Sequence, residues 1–214
     1  GTATYNGSFA PIVTRNVVEN AVVIADQTPK YGETKAANAG YFVGRKSSNA
    51  VIENNEYINV EVKVIGGSDS DIQTIINNAK EGDTIRIAGT YTKFPTINKV
   101  INVICDEGTT FNCSANLNIN GATIKGATIR NAEGSIVNSG TVNGNYEDCT
   151  FEGKTVIRYG YAGVATFNNC IFKETGGEWL FHFDGATDEG KIICNDCTFD
   201  GKRVAVAGGL SLLE

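Results

Sequence analysis

The sequence predicts an all-β protein: a parallel β-helix that begins with a capping helix and is preceded by a small β-rich region. Three observations predict it. The 214 residues include 25 Gly but only 3 Pro and no Met, and a chain rich in Gly, Asn, Thr, Ile and Val favours strands joined by tight turns. A short pattern recurs in the second half, and a single amphipathic segment precedes it. Together these features describe a solenoid with a helix at its entrance.

Residues 1–66 form the first predicted unit. Strand-like runs lie at 17–18, 21–24, 41–43 and 58–64, with polar loops between them. We find no repeat and no solenoid motif among these runs. The sequence therefore predicts a β-rich docking region over 1–66, or an extended arm that completes itself on a partner. The boundary falls at Gly66 and Gly67, so the β-helix is expected over 67–214.

The amphipathic segment runs from Asp71 to Ala79. Its apolar residues are spaced at i, i+3, i+4 and i+7, as on one face of a helix. Ser68 or Ser70 can cap its start, and Gly82 stops it. The next run, 84–88, alternates as a strand. A lone helix at this point is expected to cover the exposed edge and the open apolar end of the first coil.

A resemblance begins at this helix. The run from Asp71 to Tyr91, and the strand and Gly-Thr-Thr turn within 101–112, resemble the entry segment of right-handed parallel β-helix proteins of the pectate-lyase-like superfamily. The resemblance covers about residues 68–207 and implies a right-handed winding. It implies no particular activity, because that superfamily holds lyases, hydrolases, adhesins and phage tail or fibre proteins.

The repeat itself occupies four segments, at 124–129, 146–151, 167–172 and 194–199, whose last apolar residues are 22, 21 and 27 positions apart. Units this small cannot bury their own apolar faces, so they stack as successive coils. The longer third step implies an insertion around 176–188. Two residue columns should face inward and form the core ladder. They are Cys149, Cys170 and Cys197 after Ala127, and Phe151, Phe172 and Phe199 after Ile129.

Charge excludes one class of partner. The chain carries 18 Lys+Arg against 24 Asp+Glu, a net charge of −6, and the basic residues are scattered. A nucleic-acid-binding surface needs a basic stripe, so we expect no nucleic-acid partner. No run approaches 18 apolar residues, so we expect no membrane insertion. Residues 1–10 lack the features of a signal peptide.

The six cysteines leave three interpretations open: core packing, disulfides and zinc. Cys194 and Cys197 form a single CxxC, and His182 is the only histidine, so a four-ligand site would need distant residues. Stacked side chains in one column point alike and are poorly placed for a disulfide. The repeat favours packing. We therefore expect buried, reduced thiols, no metal site and no cofactor.

Candidate catalytic residues were sought among the acids of the repeat. The lyase and hydrolase motifs of the superfamily have no match. One column holds Asp148, Asn169 and Asp196, and the other holds Glu152, Lys173 and Asp200. Acids two coils apart are separated by about 9.6 Å, too far for a retaining pair and marginal for an inverting one. These residues fit turns and surface ladders, so we predict no catalytic residue.

One segment is a candidate ligand site. Trp179, His182 and Asp184 lie within the predicted insertion. An aromatic ring with nearby polar groups can bind a sugar, which would make these three residues a glycan patch. The alternative is an additional strand whose apolar residues face inward, with Trp179 covering the insertion.

The chain ends in an apolar run, 204–213, followed by a single acid, and no capping helix follows it. We expect this end and residues 1–66 to contact another copy or another protein. The first functional hypothesis is a non-enzymatic phage virion component, assembled in the host cytoplasm: a head fibre, capsid decoration or tail fibre. The alternatives are a microbial cell-surface adhesin outside the cell and a polysaccharide lyase or hydrolase acting on acidic glycans.

Overall fold

The computed structural model describes residues 12–26, 33–34, 46–47, 51–112, 117, 119–138, 143–159, 163–183 and 190–201. One helix, α1 (Asp69–Asn78), and twenty strands lie within these ranges. The strands are β1 (Ile12–Thr14), β2 (Val17–Glu19), β3 (Val22–Asp26), β4 (Glu33–Thr34), β5 (Lys46–Ser47), β6 (Val51–Glu53), β7 (Glu56–Ile58), β8 (Glu61–Ile65), β9 (Thr84–Ala88), β10 (Thr90–Tyr91), β11 (Asn102–Cys105), β12 (Thr110–Asn112), β13 (Asn120–Lys125), β14 (Thr128–Asn138), β15 (Asn143–Glu147), β16 (Thr150–Tyr159), β17 (Gly163–Asn168), β18 (Ile171–Phe183), β19 (Gly190–Asn195) and β20 (Thr198–Asp200).

Two long parallel sheets dominate the described fold. The eight-stranded sheet has the order β19-β17-β15-β13-β11-β9-β8-β3, and the six-stranded sheet has the order β10-β12-β14-β16-β18-β20. From β9 onward the chain alternates between the two sheets and returns one position further along each. This is a parallel β-solenoid and confirms the predicted all-β class with a single helix. The right-handed winding stays a prediction.

The interior is filled by columns of apolar side chains, one residue per coil. In the eight-stranded sheet one column runs through Val62, Ile85, Val103, Ile124, Tyr146 and Phe167, which are all at most 1% exposed. In the six-stranded sheet the facing column runs through Tyr91, Phe111, Ile129, Phe151 and Phe172. Because each coil supplies only one residue to each column, no coil has a core of its own and stability comes from stacking.

The helix begins one residue after its cap. The Asp71 carboxylate accepts hydrogen bonds from the Ser68 backbone N–H at 2.8 Å and from the Ser68 hydroxyl at 2.9 Å, which fixes the first turn as a capping box does. Ile72, Ile75 and Ile76 are buried in the same cluster as the solenoid core. The predicted spacing of apolar residues therefore gives the observed buried face.

The helix is also fastened to the segment that follows β10. Asp69 binds the Thr92 hydroxyl and backbone N–H. Gln73 exchanges two hydrogen bonds with the backbone of Thr96, at 2.9 and 2.8 Å. At the other end, the Lys99 ammonium donates to the Ala79 carbonyl at 2.6 Å and supplies positive charge where the helix dipole is negative. The helix thus caps the side of the solenoid where the six-stranded sheet begins.

Strand pairing crosses the predicted boundary at Gly66 and Gly67, and the docking role of residues 1–66 stays a prediction. The strand pairs β1–β6, β2–β7 and β3–β8 are all parallel, and β8 then pairs with β9. The six strands of these three pairs therefore form two stacked coils, and the eight-stranded sheet continues through the predicted boundary. The other two described strands of this region, β4 and β5, pair antiparallel with each other. The helix lies beside this sheet and does not end it. The repeat escaped detection because its two copies are 39 residues apart.

Candidate functional site

The corner between the two sheets repeats the same backbone conformation. Asp148, Asn169 and Asp196 all have φ of 53°, in the left-handed region that Asn and Asp tolerate better than most residues. Gly126 holds the equivalent position with φ of 75°. The predicted acid column is therefore a column of turn residues, set by the backbone of each corner.

Asp148 is held by Asn169 of its own column and by Lys125 of the adjacent one. The Asn169 side-chain amide donates to Asp148 Oδ1 at 2.7 Å, and Lys125 Nζ lies 3.3 Å from Asp148 Oδ2. The hydrogen bond from Asn169 and then that from Lys125 hold the pKa of Asp148 below its usual value. Both contacts favour the ionised carboxylate. A proton donor needs the opposite shift.

The second predicted column is an ion-pair ladder. Glu152 lies between Arg130 and Lys173, with N–O distances of 2.6 and 3.6 Å. The three residues are register neighbours on β14, β16 and β18, and Asp200 on β20 follows Lys173 in the same column. Charge therefore alternates along the axis from coil to coil.

A third charged cluster lies on the eight-stranded sheet and was missed in the sequence. Arg86 Nε contacts Glu61 at 2.7 Å, and Arg86 Nη1 contacts Asp106 at 3.0 Å. Lys63 lies 3.6 Å from Asp106. The hydrogen bond to Glu61, and then that to Asp106, raise the pKa of Arg86. The three coils involved differ in length, so regular spacing could not reveal the cluster.

The thiols form a regular column inside the corner. Cys149 Sγ donates to the Ile124 carbonyl at 3.5 Å, Cys170 Sγ to the Tyr146 carbonyl at 3.5 Å, and Cys197 Sγ to the Phe167 carbonyl at 3.4 Å. Each thiol thus bonds to the backbone of the preceding coil. Cys149 and Cys170 are fully buried, and Cys197 is half-buried.

The thiols are kept protonated by this environment. The hydrogen bond with Cys149, together with burial, raises the pKa of Cys170. Burial raises the pKa of Cys105 and of Cys194 to about 12. All five cysteines that the structure describes are free. Among the described residues, no group of three His, Cys, Asp or Glu side chains is placed to hold a metal ion.

The phenylalanine column lies beside the thiols. Phe151 stacks on Phe172 with ring centroids 5.2 Å apart, and Phe172 stacks on Phe199 at 5.3 Å. Phe151 and Phe172 are fully buried, whereas Phe199 is 37% exposed. Phe199 differs from the other two because no further described strand of the six-stranded sheet lies beyond β20.

The candidate glycan patch is placed only in part. Trp179 and His182 lie in β18, and their register neighbours in β16 are Thr155 and Arg158. The side chains of Trp179 and His182, and the whole of Asp184, lie outside the described residues. The apolar C-terminal run at 204–213 lies outside them too. The glycan patch therefore stays a prediction.

A groove of about 480 Å³ lies between the first turn of α1 and residues 93–96. Its polar side chains include Asp69, Gln73 and Lys93. The side chains of Asp69 and Gln73 hydrogen-bond to the segment that follows β10 and so hold the helix in place. The groove is therefore a consequence of how the helix is attached.

The ends of the eight-stranded sheet differ from its middle. One outward column begins at Val22 and ends at Ile193. The residues between them are all polar: Glu61, Thr84, Asn102, Thr123, Asn145 and Thr166. Val22 is 62% exposed, and its neighbours Ile12 and Val17 are exposed too. Within this outward column, apolar residues thus stand only at the two ends.

Comparison of the chain with protein-family models, with curated proteins and with solved structures found no match. In the part of the chain that the structure describes, no helix has the length and apolar character needed to cross a bilayer.

Proposed function

We propose that this protein is a non-enzymatic structural or attachment protein, a component of a phage virion whose β-solenoid serves as a shaft. The observation that carries the proposal is the ladder of Arg130, Glu152 and Lys173. The Glu152 carboxylate lies between a cation on the preceding coil and a cation on the following coil. Opposite charges that are cross-strand neighbours favour this register between adjacent coils.

The electrostatics of the outer face support this role over catalysis on acidic glycans. A general acid in a glycosidase needs a raised pKa, whereas the pKa of Asp148 is lowered by Asn169 and Lys125. Glu152 is paired with Arg130 and Lys173 of the two neighbouring coils. Both acid columns are thus suited to holding coils in register.

The thiols support assembly in a reducing compartment. Cys149 and Cys170 are buried and free, and each donates to a backbone carbonyl of the preceding coil. Free thiols are stable in a reducing cytosol, where a phage particle is assembled, whereas an exported adhesin folds in oxidising surroundings. We therefore favour the virion over the cell surface as the location of this protein.

The finer family assignment is part of the same proposal. The run from Asp71 to Tyr91, which resembles the entry segment of the pectate-lyase-like superfamily, forms α1, β9 and β10 in the structure. A helix followed by two strands, as found here, supports membership of that superfamily. A right-handed winding follows from the strong general preference for right-handed crossovers between parallel strands.

Enzyme assays separate a shaft from a polysaccharide lyase or hydrolase. The wild-type protein, Glu152→Gln and Asp148→Asn should be incubated with pectate and alginate, with and without calcium, while unsaturated ends and reducing ends are measured. We expect none of the three to release product. Turnover by the wild type that either substitution abolishes would overturn the proposal.

Labelling of particles tests the structural role directly. Antibodies raised against the purified chain should be applied to intact particles and viewed by electron microscopy. We expect labels at fixed positions on the particle surface. Detection of the chain only as a free protein in the lysate would contradict a virion role.

A further inference from the structure

We propose that the protein assembles head to tail, with β19 of one copy pairing in parallel with β3 of the next. The proposal names the partner of the shaft proposed above, a second copy of the same chain, and it rests on that function. It places Ile193 of one copy beside Val22 of its neighbour.

The two edges of the eight-stranded sheet are formed by β3 and β19. Each of these two strands pairs with a single described strand. Backbone groups on such edges are ready to pair with another strand. Neither strand contains Pro, the residue that most simply blocks edge pairing.

The direction of the strands favours a head-to-tail contact. Every pairing within the eight-stranded sheet is parallel. A second copy in the same orientation therefore presents its β3 to β19 as one more step of the same ladder. The contact joins different surfaces on the two copies. An interface of this kind repeats without closing, so it builds a chain.

The outward column that runs from Val22 to Ile193 ends in these two strands. Its six interior members are polar, and only the terminal residues, Val22 and Ile193, are apolar. Val22 is 62% exposed in the single chain. Head-to-tail pairing makes Val22 and Ile193 cross-strand neighbours. β-branched pairs of this kind stabilise sheets.

The geometry sets the repeat of the assembly. Eight strands at a spacing of about 4.8 Å give an axial repeat of about 38 Å per copy. Electron microscopy of the assembled protein should therefore show this repeat along the axis.

Complementation between two variants tests the pairing. Val22→Lys places a charge on one end, and Ile193→Lys places a charge on the other. We expect wild-type protein at high concentration to form chains, and each variant alone to stay monomeric by light scattering. An equal mixture should form a dimer, because Ile193 of the first variant still meets Val22 of the second. Thr123→Lys, in the middle of the same column, is the matched control and should assemble like the wild type.

Three results would overturn the head-to-tail pairing: a monomeric wild type, either variant assembling as well as the wild type, or a mixture that stays monomeric. A symmetric contact between two like ends would leave one of the two variants, the one whose contacting end is unchanged, assembling as well as the wild type. Failure here is distinguishable from failure of the shaft role, because particle labelling and the glycan assays do not depend on self-assembly.

Discussion

The side-chain amide of Asn59 donates to the side-chain oxygen of Asn20 at 2.7 Å, although the two residues are 39 positions apart. Both have φ of 50° and occupy equivalent corners of two stacked coils. Asn16 and Asn55, also 39 positions apart, are joined by a hydrogen bond in the same way. These corners extend the solenoid to the strands before residue 66.

Substitution of Asn59 should show how much its backbone conformation matters. Asn59→Ala places a Cβ without a local hydrogen bond in the left-handed region, so we expect a loss of about 1–2 kcal/mol in the free energy of unfolding. Asn59→Gly keeps the conformation accessible and should lose less. Chemical denaturation measures both, and a larger loss for Gly than for Ala would contradict the conformational reason.

Gly126 and Gly108 make a matched pair for close packing between coils. Both have positive φ, but a Cβ at Gly126 would lie 2.8 Å from the Cys105 carbonyl oxygen, whereas a Cβ at Gly108 meets nothing within 4 Å. We expect Gly108→Ala to cost about 1–2 kcal/mol from backbone strain alone. Gly126→Ala should cost about 1–3 kcal/mol more, because two coils must move apart. Equal unfolding midpoints for the two variants would refute the steric argument.

The phenylalanine column predicts a gradient of stability. Phe151→Ala removes a fully buried ring and should cost about 3–5 kcal/mol. Phe199→Ala removes a ring that is 37% exposed and should cost about 1–2 kcal/mol. Thermal or chemical unfolding of the two variants checks which substitution costs more stability. A larger loss for Phe199→Ala than for Phe151→Ala would mean that Phe199 is the better buried ring in solution.

The thiols should resist labelling in the native state. Cys149 and Cys170 are buried, and raised pKa values keep Cys105, Cys170 and Cys194 protonated at neutral pH. Because the thiolate is the reactive form, we expect slow reaction with a maleimide until denaturant is added. Mass spectrometry identifies the labelled residues. Rapid native labelling of Cys149 or Cys170 would show that the column is open.

Acid should weaken the corner that contains Asp148. Its folded-state pKa lies below the ordinary value of 3.8 because Asn169 and Lys125 bind the carboxylate. The stability it contributes is therefore present above that ordinary value and is lost as the pH falls through the folded-state pKa. The effect is small, because the side chain is exposed. Unfolding midpoints from about pH 6 to about pH 2 should fall less steeply for Asp148→Asn than for the wild type. Parallel curves would count against the assignment.

The sequence alone determined the later coils and the helix. Ile129, Phe151 and Phe172 recur at nearly constant spacing, and a constant spacing predicts which residues stack. The apolar face of α1 could be predicted for a similar reason, since residues three and four positions apart share one side of a helix. The alternation of Glu152 and Lys173 followed from the same spacing.

Only the tertiary structure decided which residues become neighbours when successive coils differ in length. The partners of Arg86, at Glu61 and Asp106, are 25 and 20 residues away, and the two early coils are offset by 39. In a parallel ladder, two residues become neighbours when they hold the same position on successive coils. When the loops between the strands differ in length, such residues are not separated by a constant number of positions in the sequence. The polar outward column that ends in Val22 and Ile193 became visible only when the strand register joined eight separate segments, because the backbone hydrogen bonds that set the register leave no local trace in the sequence.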